Sequence, residues 1–390
     1  MIGVIADDLT GAAELGAVGL RHGLQAEIVL QGQPSGEANL VCIDTNSRSC
    51  GPKEAGRRAA LAARMLRTCG ARWIYKKVDS VLRGQVVAEL EAIMPQLGVK
   101  RALLVPANPA LGRTISDGKY FIHGRPIHKT DFARDAEYPR LSPRVLDLMR
   151  ASDHRAIQVG RVDDSLPAEG IVVGEAGSSA DLQQWAAVWK CNQLPAGGAE
   201  FFAALLARAG HKPVAAHTRQ TPAPGAGPHL FVCGTMSESS RESIRAARKC
   251  GTPVFSLPRE LARGGRMTRA AAEALSREAV AELRRNSVVV LHIGLSRVRE
   301  PRAAGLLATH LVRIAQLVLG QLEVGQVYLE GGATAVELVR RLGWDRLNVL
   351  REVAPGVATL GVGGAPSLRL TIKPGSYAWP DQIRELTCLT

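Results

Sequence analysis

Two adjacent aspartates, Asp7 and Asp8, end the apolar run Ile2 to Ala6 and precede Leu9-Thr-Gly11. Buried carboxylates without partners are costly, so both must be paired, solvated or used. The pattern predicts a buried strand, a tight turn and a helix N-terminus. In an open α/β sheet that junction is where ligands bind. The helix start also offers free N–H groups and a positive dipole end to an anion. Helix capping accounts for one aspartate; the other is left to bind hydroxyls or accept a proton.

A denser cluster follows in Lys76-Lys-Val-Asp-Ser-Val-Leu-Arg-Gly84. Alternation predicts Lys77 and Asp79 on one face of a strand, with Ser80 opening a turn and Arg83 behind it. Cations beside carboxylates can clamp a substrate carboxylate while neighbouring acids take its hydroxyls. A solvated ion-pair cluster has the same composition and does nothing.

The second half carries a different chemistry. Gly234-Thr235-Met-Ser237 and Gly331-Gly332-Ala333-Thr334 read as strand ends turning into helices, and Pro355-Gly356-Val357 as a looser version. Glycine admits close backbone approach, and N–H groups beside a hydroxyl can hold phosphate oxygens. Such turns need glycine even without a ligand, and neither a P-loop nor a G-x-G-x-x-G fingerprint is present. Between the clusters, Pro106 to Arg113 and Asp117 to Tyr120 have turn chemistry, suited equally to a ligand loop or a plain hairpin. His123 and His128 show no metal-ligand spacing.

The elements that must position these groups alternate. Strands are expected at Gln25 to Leu30, Asn39 to Asn46, Arg72 to Asp79, Arg101 to Pro106, Arg155 to Val159 and Gly170 to Gly174. Helices are expected at Gly11 to Gly23, Pro52 to Gly70, Gly84 to Leu97, Asp181 to Trp189 and Ala199 to Ala209. From Asn108 to Pro143 the alternation breaks into a long irregular excursion, a form that usually carries function. A Pro/Gly-rich stretch at 217–228 reads as a linker. Beyond it, strands from His229, Pro253, Ser287 and Gln326 alternate with helices, and the tail is β-rich. The fold class is therefore α/β with two domains, 1–216 and 229–390. Each is a mostly parallel sheet flanked by helices, with the active-site cleft expected between them.

The net charge of +13 is spread along the chain without dense runs or interleaved aromatics, which argues against nucleic acid and for anionic small molecules. Seven cysteines without a C-x-x-C pair point to reduced thiols in a cytoplasmic protein. Met1 runs straight into a strand, leaving no room for a signal peptide, and no apolar run suits a membrane span.

Taken in order, Ile5-Ala-Asp-Asp-Leu-Thr-Gly-Ala12, Lys77 to Gly84, Pro106 to Arg113, Gly234 to Ser237, Gly331 to Ala335, Pro355 to Val357 and Lys373-Pro-Gly375 resemble the four-carbon acid sugar kinase family, long known as a domain of unknown function. They span nearly the whole chain. The resemblance implies an N-terminal domain that binds a sugar acid and a C-terminal domain that binds ATP. Phosphate would pass, with Mg²⁺ on the ATP phosphates, to a hydroxyl of a threonate, erythronate or 3-oxo-tetronate. By position, Asp8, Lys77, Asp79, Ser80 and Arg83, with Asp7 beside them, contact the acid; Asp8 or Asp79 accepts the hydroxyl proton. Thr235, Ser237, Gly331, Gly332, Ala333, Thr334, Gly356, Lys373 and Gly375 fall on the nucleotide side. Domain closure across the linker would exclude water, and a homodimer fits the expectation.

The chain departs from the family in two places. Ala333 stands where the family usually has Asp, and Lys373-Pro-Gly-Ser-Tyr-Ala378 replaces Lys-Ser-Gly-Gly-Phe-Gly. A catalytically weak homologue that binds a sugar acid as a sensor is the rival implication. A dinucleotide-dependent oxidoreductase is disfavoured by the missing fingerprint.

Overall fold

Ile2–Ala6 forms β1, buried at every position, and the chain turns through Asp7 and Asp8 into α1 (Leu9–Arg21). Glycine and alanine dominate the buried side of α1, so the helix lies close on the sheet. There follow β2 (Ala26–Val29), β3 (Leu40–Asp44), α2 (Pro52–Thr68), β4 (Ile74–Lys77), α3 (Val86–Leu97) and β5 (Arg101–Val105). The excursion is not structureless. It holds a small antiparallel sheet of β6 (Arg113–Ser116), β7 (Lys119–Ile122) and β8 (Arg125–Pro126), followed by the short α4 (Val145–Leu148). The unit continues with β9 (Ile157–Gly160), β10 (Gly170–Gly174), α5 (Ser179–Val188), β11 (Gln193–Gly197) and α6 (Ala199–Arg208).

The structure is a computed structural model that describes residues 1–390 except 136, 150–156, 215–226, 264, 295–300 and 389–390. The chain folds into two compact units, Met1–Arg219 and Gln220–Thr390. The linker expected at 217–228 lies, through residue 226, outside the described residues, as do the first residues of the strand expected at Arg155.

In the first unit the strand order is β2-β3-β1-β4-β11-β5-β10-β9, with parallel pairing throughout. β11 has no counterpart among the strands expected from the sequence; Pro195 and Gly197 run against strand propensity. Pro195 pairs with Leu103 of β5, whereas the ladder to β4 begins only at Ala196, one residue after the proline that has no N–H to give it.

The second unit opens with β12 (His229–Cys233), α7 (Glu238–Lys249), β13 (Val254–Ser256), α8 (Arg269–Asn286), β14 (Val288–His292), α9 (Pro301–Leu319), β15 (Gln326–Glu330) and α10 (Gly332–Arg341). The β-rich tail is a meander of β16 (Arg346–Ala354), β17 (Val357–Val362) and β18 (Ala365–Lys373), closed by the short α11 (Asp381–Arg384). Strand order is β13-β14-β12-β15-β18-β17-β16. One expected turn is corrected: Pro355-Gly356 closes the β16–β17 hairpin and does not lead into a helix. No helix among the described residues is long and apolar enough to cross a membrane.

The expectation of reduced thiols is also corrected. Cys250 at the end of α7 and Cys388 near the C-terminus form a disulfide with Cα atoms 5.0 Å apart, inside the range a bridge requires. Their 138-residue separation hides the pairing from any local pattern. Cys42, Cys50, Cys69, Cys191 and Cys233 are free. Replacing Cys388 with Ser is expected to lower stability by about 2–4 kcal/mol through the freed chain ends. The check is a thermal melt of oxidised wild type beside the variant; equal midpoints contradict the bridge.

Candidate active site

β1 sits between β3 and β4. Its crossover runs leftward in the sheet to β2, whereas those of β3 and β4 run rightward. Right-handed crossovers then put α1 on one face and α2 and α3 on the other, which agrees with α1 packing on α6 and α2 on α3. The chain therefore diverges on both sides of β1, opening a crevice at its C-terminal end. Asp7 and Asp8 lie in that crevice.

Asp8 caps α1: its Oδ1 accepts from Gly11 N at 2.8 Å and its Oδ2 from Thr10 Oγ1 at 2.7 Å. Asp7 does not cap. It meets Arg48, which follows β3 and was not singled out from the sequence. Arg48 Nε and Nη2 donate to the two Asp7 oxygens at 2.7 and 2.9 Å. Its Nη1 donates to Asp8 Oδ2 at 2.6 Å and stands 3.8 Å from Asp79 Oδ1. One guanidinium thus gathers all three aspartates. Backbone bonds from Ser47 and Arg48 to the Asp7 carbonyl, at 3.0 and 3.2 Å, and Thr45 Oγ1 to Ala6 O at 2.8 Å lace the two strand ends together. Asn46, two residues before Arg48, is held at φ 44°.

The two lysines of β4 point to opposite faces, as strand geometry demands. Lys76 is fully buried 3.1 Å from Glu89 of α3. Lys77 lies 3.0 Å from Glu14 of α1 and donates to Val78 O at 2.9 Å. β4 ends at Lys77, so Asp79 belongs to the turn beyond it. There it accepts from the backbone of Val81 and Arg83 and bidentately from the Arg83 guanidinium at 2.9 Å. Leu82 takes a left-handed φ of 62° while buried, a strain of about 1–3 kcal/mol held where Arg83 must be aimed. Gly84, at φ 89°, lets the turn close on the cluster, since a Cβ there would stand 3.3 Å from Asp7 Oδ2.

The excursion supplies the rim. Arg113 of β6 donates to Ser80 Oγ, Tyr120 of β7 donates to Ser80 O, and Tyr138 donates to Arg48 O. Asp135 accepts from Arg83 Nη1 at 3.1 Å. Burial pushes the Asp7 and Asp79 carboxyls up, but the cations prevail in both. Arg48 and Lys76 hold Asp7 below the carboxylate range, and Arg83 and Arg48 hold Asp79 well below it. Burial opposes the charge on Lys77, and Glu14 and the aspartates more than restore it. These groups stay ionised at neutral pH. The Asp8 side chain is the most accessible of the three aspartates, 14% exposed against 3% for Asp7 and 7% for Asp79.

The second unit repeats the topology. β12 crosses leftward to β13, while β13 and β14 cross rightward, so the crevice opens at the end of β12. Gly234 N donates to Glu330 O at 3.1 Å, and Gly331 N donates to Lys373 O at 3.1 Å, joining the ends of β12, β15 and β18. α10 begins at Gly332 with no side-chain cap, and Thr334 Oγ1, in its first turn, is buried without a hydrogen-bond partner. Free N–H groups and an orphaned hydroxyl fit a phosphate. Thr235 sits against Gly375, and Ser237 caps α7 by accepting from Ser240 N at 3.2 Å. A Cβ at Gly234 would stand 1.7 Å from Thr334 Oγ1. Gly234→Ala is therefore expected to lose most of the thermal stabilisation conferred by ATP; stabilisation equal to wild type would contradict the phosphate cradle.

The expected site residues thus fall into two sets. Asp7, Asp8, Lys77, Asp79, Ser80 and Arg83 come together in the first unit. Thr235, Ser237, Gly331, Gly332, Thr334 and Gly375 come together in the second. Ala333 is exposed at the start of α10. Lys373 turns inward, 3.4 Å from Glu330 and donating to Tyr377 O at 2.6 Å, which braces the turn before Gly375. Gly356 packs against Tyr377 from its hairpin. Among the described residues no group of three or more His, Cys, Asp or Glu is placed to hold a metal ion. Arg48, Glu14 and Asp135 were missed, although Thr45-Asn-Ser-Arg48 does end a strand as Asp7-Asp8 does.

Residues 2–205 match the model of a sugar-binding N-terminal domain, and residues 230–377 that of a nucleotide-binding C-terminal domain. The chain is 30% identical over 405 residues to a D-threonate kinase of Cupriavidus necator, covering 96% of this chain and 94% of that one. It is 28% identical to a D-erythronate kinase of Heliobacterium modesticaldum, covering 93% and 90%. A Haemophilus influenzae protein of solved structure shares the fold at TM-score 0.72 and 21% identity, with 99% of each chain covered. With both domain models matched in order and the kinase relatives aligned nearly end to end, the chain belongs to the four-carbon acid sugar kinase family.

Proposed function

We propose that this protein transfers the γ-phosphoryl group of ATP to a hydroxyl of a threonate, erythronate or 3-oxo-tetronate, with Asp8 as the proton acceptor. The observation that carries the reading is the division of chemistry between two strand-end crevices. One is lined by carboxylates and guanidinium groups, the other by glycine turns around the orphaned Thr334 hydroxyl. The first suits a polyhydroxy acid, the second a polyphosphate.

Phosphoryl transfer is mostly positioning and charge stabilisation. Arg48 fixes the three aspartates relative to one another, and Arg83 and Lys77 supply positive charge around them. Asp79, bidentate to Arg83 and held strongly acidic, orients and does not accept the proton. Asp8 is the more accessible carboxylate and keeps its place as the α1 cap while taking a hydroxyl hydrogen. In the second unit Gly331, Gly332 and Thr334 receive phosphate oxygens, with Thr235 and Ser237 beside them. Mg²⁺ bound with the nucleotide would supply charge neutralisation, and no group of three or more acidic, His or Cys side chains among the described residues is placed to hold it apart from the nucleotide.

A second reading, a sugar-acid sensor of weak activity, draws on two observations: Ala333 carries no carboxylate, and Lys373 is engaged inside the fold. Cytoplasmic location and a homodimer complete the first reading; a lasting Cys250–Cys388 bridge is uncommon in that compartment. Separate titrations test the pair. The kinase reading expects the acid and an ATP analogue each to bind alone, and the sensor reading expects only the acid to do so.

A further inference from the structure

The cations that bind the aspartates of the first-unit site already face carboxylates before any substrate arrives. Lys77 faces Glu14, Arg48 faces Asp7, Asp8 and Asp79, and Arg83 faces Asp79 and Asp135. These ion pairs join five carboxylates to three cations, with Lys76 and Glu89 forming a separate buried pair; Arg113 at Ser80 and Arg140 at the carbonyls of Leu82 and Tyr138 stand beside them. An incoming sugar acid adds one more carboxylate to guanidinium groups already occupied. To reach Arg48 or Arg83 it must displace one of their resident acids or add charge to pairs already balanced, which a largely buried site disfavours.

The contacts differ in how readily they exchange. Asp7 is 3% exposed and bidentate to Arg48, and Asp79 is 7% exposed and bidentate to Arg83. Asp135 is 19% exposed and meets Arg83 through a single bond of 3.1 Å to Nη1. It comes from the excursion and not from a strand end. Its other oxygen, Oδ1, accepts from the backbone of Glu137 at 3.1 Å and Tyr138 at 2.8 Å. Those two residues reach the backbone and neighbour of Arg48: Glu137 accepts from Ser49 Oγ at 2.9 Å, and Tyr138 donates to Arg48 O. Asp135 and Tyr138 thus link Arg83 to the backbone of Arg48.

We propose that Asp135 is a built-in stand-in for the substrate carboxylate, displaced from Arg83 Nη1 when the sugar acid binds. The inference rests on the sugar-acid assignment of this site. It makes Asp135 a resident competitor that sets the affinity for the acid. A carboxylate can replace that of Asp135 on Arg83 Nη1 while Asp79 keeps its bidentate hold, whereas the matching polyol has no anion to exchange and leaves the Asp135 contact in place.

Asp135→Asn separates this role from that of a brace. Asparagine keeps Oδ1 as acceptor for Glu137 and Tyr138 but removes the anion facing Arg83. Calorimetric titration of D-threonate and of the uncharged polyol threitol into wild type, Asp135→Asn and Asp135→Ala is the test, with thermal midpoints recorded alongside. The expected result is a Kd for the acid that falls roughly fivefold or more in both variants, with the Kd for threitol unchanged. A Kd for the acid that stays level or rises in a variant with a wild-type midpoint overturns the displacement while leaving the sugar-acid site intact. Failure of wild type to bind any four-carbon acid overturns the site assignment, and the displacement with it.

Discussion

Arg48→Ala should abolish four-carbon acid binding and destabilise the first unit by about 3–5 kcal/mol, the cost of leaving a buried ion network without one partner. Asp7 is the reason for the size of the effect. Its side chain is 3% exposed, both oxygens are satisfied by Arg48, and its own carbonyl is bound by the backbone of Ser47 and Arg48 at the β1–β3 junction. The same substitution leaves Asp8 and Asp79 facing each other with their shared cation gone. Arg48→Lys should recover part of the stability and little of the binding, because an ammonium cannot match the planar fork that spans Asp7 and Asp8. Urea unfolding and calorimetric titration of the two variants check this. Full acid affinity in Arg48→Ala would remove the aspartate cluster from the account.

Asp8→Asn should lower kcat by about 10²–10⁴-fold with a smaller loss of stability than Arg48→Ala, because only the ion pair to Arg48 Nη1 is lost. Asparagine caps a helix as well as aspartate, so the bond from Gly11 survives. What is lost is the accessible proton acceptor. Asp79→Asn should behave differently, raising KM and lowering stability, because it breaks the bidentate pair that aims Arg83. Steady-state kinetics with unfolding curves for both variants distinguish base from orienter. Near-normal kcat in Asp8→Asn would move the proton elsewhere.

Much of this site is legible in the sequence because its groups sit at strand ends that local pattern reveals. Asp7-Asp8 and Lys77 to Gly84 each follow an apolar run, and charge at such a point demands a reason. Arg48 is not legible in the same way. It stands alone between serines, and its partnership with Asp7 depends on β3 lying beside β1, a fact of sheet order. Asp135 is hidden for a similar reason, inside an excursion without periodicity. β11 escaped because Pro195 contradicts a central strand until the short β11–β4 ladder is known. Pro355-Gly356 suits a hairpin as well as a helix entry, and only the pairing of β16 with β17 decides. Lys373 looks like a phosphate-binding cation in one dimension; in three it is 1% exposed and paired with Glu330.

The first unit owes its chemistry to one guanidinium holding three aspartates, and the second to a helix start with an unsatisfied threonine. Both are needed for a kinase, whereas a sensor needs only the first. Coupled measurement of ADP release, with ATP and each of D-threonate, D-erythronate and a 3-oxo-tetronate, tests that claim most directly. The account predicts acid-dependent ADP release by wild type with at least one of the three, and its collapse in Arg48→Ala. ADP release no greater than the acid-free background with all three would contradict it.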